Sequence, residues 1–372
     1  MRMALPSSRP PFRADHVGSL LRPKALRDAF KGFHAGTLPE SEFRTIQDNA
    51  IRNAVKLQED AGFRLVTDGE YRRASYWARF VDRTHGLSVR PALYRFHDDH
   101  GQQLEFTAPY VEDRVHRTQP IAVDEVRFLA GITTSVVKVT LPAPSTMHFW
   151  RGNQYAREGV YADPRAFFHD LGKVYQDEIR ECAQAGAQYV QLDEVALVML
   201  CDEGTRQRLR AEGQDPQELA DLYVDAINHA VANRPPDLLV GVHVCRGNFK
   251  GKYLAEGGYD SIAERLLQGA RVDHFLLEYD TPRAGDFAPL RYLPGDKGAV
   301  LGLITTKSGL LESLDDLKRK VDEASKHVNI ERLGIGPQCG FASTVAGNPL
   351  TEDEMRAKLE LVVSAAHAIW ND

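Results

Sequence analysis

Four side chains of the kinds that bind metals stand at the ends of short apolar runs. His243 and Cys245 form a His-x-Cys pair at the end of one run. Glu278 ends the next run, and Cys339 follows a third. Thiolates and imidazole are ligands that suit zinc, and a carboxylate can fill a further position. Ligands drawn from several strand ends predict a reactive metal at the mouth of a barrel.

The His-x-Cys pair has a second interpretation, a buried histidine beside a core cysteine. Alternate residues of a strand share a face, so both side chains can point the same way under either interpretation. Glu278 and Cys339 at equivalent strand ends favour the metal. A closed structural zinc site is disfavoured because such sites commonly use pairs spaced as Cys-x-x-Cys. Cys182 and Cys201 are interpreted as packing residues, since free cysteine behaves as a small hydrophobe.

The composition excludes several classes of protein. The 372 residues are 43% hydrophobic and 26% charged, which is typical of globular proteins. A formal net charge of −6 disfavours nucleic-acid binding, which favours a basic surface. No apolar stretch is long enough to span a membrane, and residues 1–12 lack the apolar core of a secretory signal. Four cysteines in so long a chain are no disulfide framework, which predicts a reducing cytoplasm.

Short apolar runs alternate along the chain with longer amphipathic segments. The predicted strands are Phe12–Val17, Arg64–Thr67, Val136–Leu141, Tyr189–Leu192, Leu238–His243, His274–Leu277, Val300–Ile304 and Leu333–Ile335. About eight strands are what a closed parallel barrel needs, and continuous apolar runs are typical of strands covered by helices. The prediction is an α/β protein with a single (β/α)8 TIM barrel over residues 1–372.

Helix boundaries have clear local signals. The predicted helices are Ser41–Ala61, Pro164–Ala185, Glu218–Asn233, Leu314–His327 and Glu354–Ile369. Four side chains are predicted N-caps: Asp163 and Asp215, each before a proline, with Ser313 and Thr351. Gly62 and Gly186 are predicted to end their helices.

The stretch from Thr84 to Asp124 interrupts this alternation. It is polar and contains four histidines among short aromatic and valine runs: His85, His97, His100 and His116. We predict an insertion after the second strand, at residues 84–130, with a β-hairpin over the barrel mouth. The irregular spacing and charged surroundings of the histidines favour solvated side chains over metal ligands.

Motifs at the predicted strand ends fit one known family. They are Arg13–Arg22 (RADHVGSLLR), Thr67–Glu70 (TDGE), Gln191–Glu194 (QLDE), the His-x-Cys pair with Glu278, and Gln338–Gly340 (QCG). Together they resemble the C-terminal catalytic barrel of cobalamin-independent methionine synthase. The resemblance extends across nearly the whole chain, and the combination is specific although no single motif is.

The resemblance implies a role for each candidate residue. The implied zinc ligands are His243, Cys245, Glu278 and Cys339. Binding of the amino-acid part of a homocysteine-like thiol is implied for Ser19, Glu70 and Asp193. Asn248 and the loop from Pro142 to Trp150 are expected on the methyl-donor side. Catalytic roles are predicted for Asp193 and Lys307.

The chemistry of such a site points to alkyl transfer. Only a thiolate attacks well, and zinc lowers the pKa of a thiol and holds its sulfur. Two thiolates and a carboxylate outweigh the dication, which should keep the substrate sulfur nucleophilic. The expected reaction is methyl transfer to a thiol, homocysteine giving methionine. The expected donor is methyltetrahydrofolate or a methyl-corrinoid, and a protein may be needed to deliver it.

Departures from the family pattern leave alternatives open. The chain has one barrel where full-length members have two, and Thr305–Ser308 replaces a segment that normally supplies an acid–base histidine. Either Lys307 substitutes for that histidine, or the donor needs no such proton. The alternatives are a zinc-dependent transferase resembling epoxyalkane:coenzyme M transferase, a metal-free lyase resembling uroporphyrinogen decarboxylase, and a non-catalytic zinc-stabilised binding protein.

Overall fold

Seven parallel strands form the central sheet of this computed structural model, which describes residues 10–371. The described residues also form two small two-stranded sheets. All strands together are, in chain order, β1 (Leu65–Val66), β2 (Thr84–Pro91), β3 (Phe96–His97), β4 (Gln103–Leu104), β5 (Thr107–Arg117), β6 (Val136–Pro142), β7 (Tyr189–Glu194), β8 (Leu239–Val244), β9 (His274–Glu278), β10 (Gly298–Ile304) and β11 (Leu333–Pro337). The curled sheet has the order β1-β6-β7-β8-β9-β10-β11, with every neighbouring pair parallel. This is an α/β arrangement of the TIM-barrel type.

The predicted first strand, Phe12–Val17, is reduced to an isolated bridge. Ala14 pairs in parallel with Ile335, whose amide donates to the Arg13 carbonyl at 2.7 Å. Gly18 follows at a φ of +135°, and a Cβ there would lie 2.6 Å from the Thr140 side chain. The chain therefore turns away before a longer ladder can form. The other seven predicted strands are confirmed, and closure by an eighth stays a prediction.

Helices pack outside the sheet. They are α1 (Lys24–His34), α2 (Glu40–Asp60), α3 (Ala78–Asp82), α4 (Val123–Ile132), α5 (Pro164–Ala185), α6 (Ala196–Met199), α7 (Glu203–Ala211), α8 (Pro216–Ala230), α9 (Leu314–Ser325) and α10 (Glu352–Trp370). All four predicted N-caps are confirmed, each side chain accepting a backbone N–H of the first turn. Gly186 ends α5 in the left-handed region, at a φ of +115°. No described helix is both long and apolar enough for a membrane span.

The connections after β8 and β9 depart from a regular (β/α)8 repeat. The first contains the 3₁₀ turn Tyr259–Ser261 and the π-helical turn Glu264–Gln268. The second contains only the 3₁₀ turns Pro282–Ala284 and Ala288–Tyr292. Prolines at 282, 289 and 294 explain why the connection after β9 forms only 3₁₀ turns. Proline lacks the N–H that a helical hydrogen bond needs, and its ring clashes with the preceding turn of an α-helix.

An antiparallel hairpin occupies the stretch that broke the sequence pattern. Strand β2 pairs with β5, and the short strands β3 and β4 pair between them. The rings of His85 and His116 lie 4.5 Å apart, with the His85 side chain about half exposed. That residues 84–130 are an insertion relative to the family stays a prediction.

A buried ion pair joins the first segment, residues 10–23, to strand β6 of the sheet. The Lys138 ammonium donates to the Asp15 carboxylate at 2.8 Å and to the His16 carbonyl at 2.6 Å. The Lys138 side chain is fully buried, and that of Asp15 is 1% exposed. Charges this deep are tolerated only when paired and hydrogen-bonded.

Removing one member of this pair should be costly. Lys138→Met leaves the Asp15 carboxylate buried without its cation, so the free energy of unfolding should fall by about 3–5 kcal/mol. Lys24→Met, which breaks the exposed Lys24–Asp28 pair, should leave that free energy nearly unchanged. Urea denaturation of the two variants measures the difference. Equal losses would contradict the role given to burial.

Candidate metal centre

An imidazole and two thiols converge at the carboxyl ends of the strands. The ligand atoms of His243, Cys245 and Cys339 all lie within 4.8 Å of one another, and all three residues are buried. The two sulfur atoms are 3.6 Å apart. Cys182 and Cys201, interpreted as packing residues, stand outside this group.

The strand register and one close backbone approach position the three ligands. His243 lies in β8, paired with Asp193 of β7, and Cys245 follows the same strand. Cys339 follows β11 and precedes Gly340, where a Cβ would lie 1.9 Å from the Ser19 hydroxyl. A glycine is therefore required at 340 to let the Cys339 loop approach the first segment.

The unpaired polar atoms of the cluster fit a metal ion. His243 is 2% exposed, and neither ring nitrogen meets a hydrogen-bonding oxygen or nitrogen. Buried polar atoms without partners are costly, so such an imidazole is suited to bind a ligand. Pairing with the Cys339 thiol and burial hold the pKa of Cys245 well above its usual value. A bound cation reverses that preference, because it stabilises thiolates.

Glu278, the predicted fourth ligand, does not join the three-residue group. One carboxylate oxygen accepts the Arg246 amide at 2.7 Å. The other, 3.8 Å from the Lys307 ammonium, is buried without a hydrogen bond. Burial opposes ionisation of Glu278, but the charges of Lys307 and Arg246 outweigh it and lower its pKa. The structure thus holds an ionised carboxylate with a free oxygen beside the cluster, and its ligand role stays a prediction.

Lys307, predicted to be catalytic, lies behind Glu278 and is absent from the cavity wall described below. Burial favours its neutral form, but Glu278 and Asp280 outweigh burial and raise its pKa. The ammonium therefore stays charged and acts electrostatically on Glu278. Its proposed exchange of protons with a donor stays a prediction.

A cavity of about 510 Å³ opens onto the three ligands. Its wall includes every residue predicted to bind substrate: Ser19, Glu70, Asp193 and Asn248. A volume of this size accommodates a small organic molecule. The cavity therefore brings these four residues together, and their binding of substrate stays a prediction.

Two of these residues offer free acceptor oxygens. Glu70 accepts the Thr140 hydroxyl at 2.8 Å with one oxygen, while the other is buried without a partner. Asn248 donates to Thr306 at 2.8 Å, and its amide oxygen is unpartnered. Such acceptors suit a ligand that brings N–H donors.

Two acids at the end of β7 are buried in a low-dielectric environment. Asp193 accepts the Gln191 amide at 2.6 Å, and burial raises the pKa of Asp193 to about 7. Burial likewise raises the pKa of Glu194 to about 7, although Ser145 donates to it at 2.5 Å. Perturbed acids in a cavity are typical of functional sites.

Several wall residues had not been singled out from the sequence. They are mainly aromatic: Tyr76, Trp77, Phe96, Phe106 and Phe249. The aromatic runs noted between Thr84 and Asp124 were the signal that could have identified two of them. Arg73 is buried and pairs with Glu125 at 2.7 Å, and its guanidinium also lies 3.9 Å from Glu70.

The chain thus combines a curled α/β barrel sheet with a His/Cys cluster at its strand ends. The family profile described as "Cobalamin-independent synthase, Catalytic domain" matches residues 12–368. The chain therefore belongs to this family, which confirms the resemblance seen in the motifs.

Individual relatives agree with this assignment. The uncharacterized protein YxjH of Bacillus subtilis is 38% identical over 364 residues, covering 97% of this chain and 95% of that protein. Methionine synthase of Pyrococcus abyssi is 27% identical over 326 residues, covering 87% and 85%. The crystal structure of a putative vitamin-B12 independent methionine synthase from Listeria monocytogenes covers 100% of both chains, with 28% identity and a TM-score of 0.75.

The buried acid Asp68 should give folding a distinctive pH dependence. Burial raises the pKa of Asp68 from 3.8 to about 6. Protonation of Asp68 therefore stabilises the folded state fully below the unfolded-state pKa of 3.8. This stabilisation is lost as the pH rises through the folded-state pKa of about 6. The free energy of unfolding of wild type relative to Asp68→Asn should fall by on the order of 3 kcal/mol across that interval. Urea denaturation at a series of pH values measures this, and a pH-independent difference would contradict it.

Proposed function

We propose that this protein transfers a methyl group to the sulfur of homocysteine, giving methionine, at a zinc ion. The proposed ligands are the three clustered residues His243, Cys245 and Cys339, with Glu278 as the fourth. The observation that carries the proposal is the convergence of these three within 4.8 Å at the wall of a cavity. Membership of the cobalamin-independent synthase family supports the choice of reaction.

The donor set determines what a metal can do here. When bound, zinc supplies Lewis acidity that lowers the pKa of a substrate thiol and keeps its sulfur in place. The ionised Glu278 and two cysteine thiolates make the surroundings electron-rich, which favours attack by the substrate sulfur. The apolar cavity excludes water and strengthens these electrostatic effects.

Recognition of an amino acid is proposed for the acids that line the cavity. Glu70 has one buried oxygen free to accept an ammonium N–H, and Asp193 and Ser19 line the same cavity. A carboxylate held in a buried site binds an ammonium more strongly than one in water. These residues are proposed to orient homocysteine so that its thiol reaches the proposed metal at His243, Cys245 and Cys339.

The donors expected from the resemblance are methyltetrahydrofolate and a methyl-corrinoid. Asn248 and Trp150 line the cavity and are proposed to lie on the donor side. The decisive assay is thiol-dependent consumption of each donor by zinc-loaded enzyme, with and without a candidate delivery protein. All four cysteines are free, which suits a reducing compartment such as the cytoplasm.

The alternative functions make different demands on the cluster. A metal-free lyase resembling uroporphyrinogen decarboxylase has no use for two thiols and an imidazole around a buried point. An alkyl transferase resembling epoxyalkane:coenzyme M transferase uses such a cluster, but its thiol carries a sulfonate. The acids Glu70 and Asp193 repel a sulfonate and attract an ammonium, which favours homocysteine.

Loss of one thiolate should weaken metal binding. Cys339→Ser should weaken zinc binding by at least about tenfold and remove thiol methylation, because a hydroxyl is a poor zinc ligand. Cys201→Ser, which changes a cysteine outside the cluster, should retain both. Metal content by mass spectrometry and competition with a chelator give the affinities. Full zinc content in Cys339→Ser would exclude the proposed centre.

Neutralising the proposed ammonium acceptor should affect one class of thiol. Glu70→Gln should raise the KM for homocysteine by about tenfold, since a charge-assisted hydrogen bond becomes a neutral one. It should leave the KM for ethanethiol, which lacks the ammonium, nearly unchanged. Steady-state assays with both thiols measure the contrast. Equal effects on the two thiols would show that Glu70 has only a structural role.

A further inference from the structure

The wall of the cavity carries a connected series of aromatic rings. Phe249 lies 5.5 Å from Phe96, Phe96 lies 5.1 Å from Phe106, and Phe106 lies 5.4 Å from Trp150, measured between ring centroids. All four residues line the cavity. Phe96 and Trp150 are buried, and the other two are half-buried.

The rings are steeply inclined to one another. Their planes meet at 54° for Phe249 and Phe96, 67° for Phe96 and Phe106, and 82° for Phe106 and Trp150. Inclined neighbours present ring faces and edges in several directions, which suits a compact rounded group. A flat heterocycle held by stacking is better served by parallel ring faces.

Acids line the cavity, and the buried Arg73 guanidinium lies 3.9 Å from one oxygen of Glu70. Apart from the metal cluster, its ionisable acids are Glu70, Glu105 and Asp193, and no lysine or arginine of residues 10–371 is among its lining residues. Glu70, 2% exposed, has an unpartnered oxygen. At the mouth, Glu105 is exposed and pairs with Arg95 at 2.8 Å. The exposed Lys250 lies 5.6 Å from the centroid of Phe249 and is not a lining residue.

From these features we propose that the methyl donor is a small methyl-onium cation, either a sulfonium or a quaternary ammonium compound. The inference rests on the proposed methylation of a thiol at this site. A cation within about 6 Å of an aromatic face is attracted by the ring, most strongly where water is excluded. The carboxylates add attraction for a cation and oppose the glutamyl carboxylates of a folate.

The chemistry of an onium donor also fits the residues present. The acceptor thiolate attacks the methyl carbon, a new sulfur–carbon bond forms, and the bond from that carbon to the onium atom breaks. The electron pair stays on the leaving atom, which departs as a neutral thioether or amine. The thiol proton passes to solvent before attack, and the leaving group takes none. This transfer therefore has no need of the acid–base histidine that Thr305–Ser308 lacks.

The binding test compares cations with neutral molecules of the same shape. Choline is paired with 3,3-dimethylbutanol, and (2-hydroxyethyl)dimethylsulfonium with 3-methylbutanol, each titrated calorimetrically into the zinc-loaded full chain. We expect at least one cation to bind about tenfold or more tightly than its neutral partner. The two pairs distinguish an ammonium site from a sulfonium site.

A variant series separates the rings from general hydrophobicity. Phe106→Leu should weaken the preferred cation by about tenfold and its neutral partner little, because leucine keeps apolar area but has no ring face. Phe33→Leu, which removes a ring of α1 outside the cavity, should change neither. Equal losses for cation and neutral partner in Phe106→Leu, or no preference for either cation in the wild type, would overturn the proposal.

A turnover test separates this inference from the proposed function. Homocysteine is supplied with S-methylmethionine, glycine betaine, methyltetrahydrofolate or methylcobalamin in turn. Methionine formation with one of the first two supports an onium donor. Formation only with a folate or corrinoid donor overturns the inference and leaves thiol methylation intact. If no donor methylates the thiol and no cation binds, both proposals fail.

Discussion

Parallel pairing of the strands is the constraint on which the cavity depends. Each strand of a parallel sheet ends at the same edge, so residues far apart in sequence meet there without further design. His243 opposes Asp193 in the β7–β8 register, while Cys339 arrives from β11. A slip of one residue in β8 would turn His243 and Cys245 to the other face. The close contact between Gly340 and Ser19 then fixes the position of the Cys339 loop relative to His243 and Cys245.

Charge compensation is the second requirement, since the barrel interior is densely populated with ionisable groups. Lys138 and Asp15 neutralise one another beneath the cavity, and Arg73 and Glu125 do so beside it. Beside His243, Cys245 and Cys339 the compensation is incomplete, because one carboxylate oxygen of Glu278 has no hydrogen bond. Unpaired polar atoms are rare in protein interiors, and those of Glu70, His243 and Asn248 lie on residues that line the cavity, where a ligand could complete the network.

Features with a local cause could be predicted from the sequence. The caps at Asp163, Ser313 and Thr351 depend on a side chain and an amide a few residues away, so their residue types sufficed. The strand ends carrying the metal-ligand residues were likewise legible from apolar runs. The first segment was not, because among the described residues it forms one isolated bridge, which joins residues from opposite ends of the barrel sequence, Ala14 and Ile335. The position of Glu278 was also beyond reach, since Arg246 and Lys307 decide it in three dimensions. The same holds for the ring series, in which Phe96 and Phe249 meet only after folding.

The order in which His243, Cys245 and Cys339 are synthesised has a consequence for how the proposed metal would be acquired. Cys339 follows β11, the last strand of the sheet to leave the ribosome, and that strand also bridges to the first segment. A nascent chain can therefore present His243 and Cys245 but not the complete cluster. Unlike a zinc finger, whose ion nucleates a short local fold, this barrel would have to be assembled almost entirely before it could retain the proposed ion.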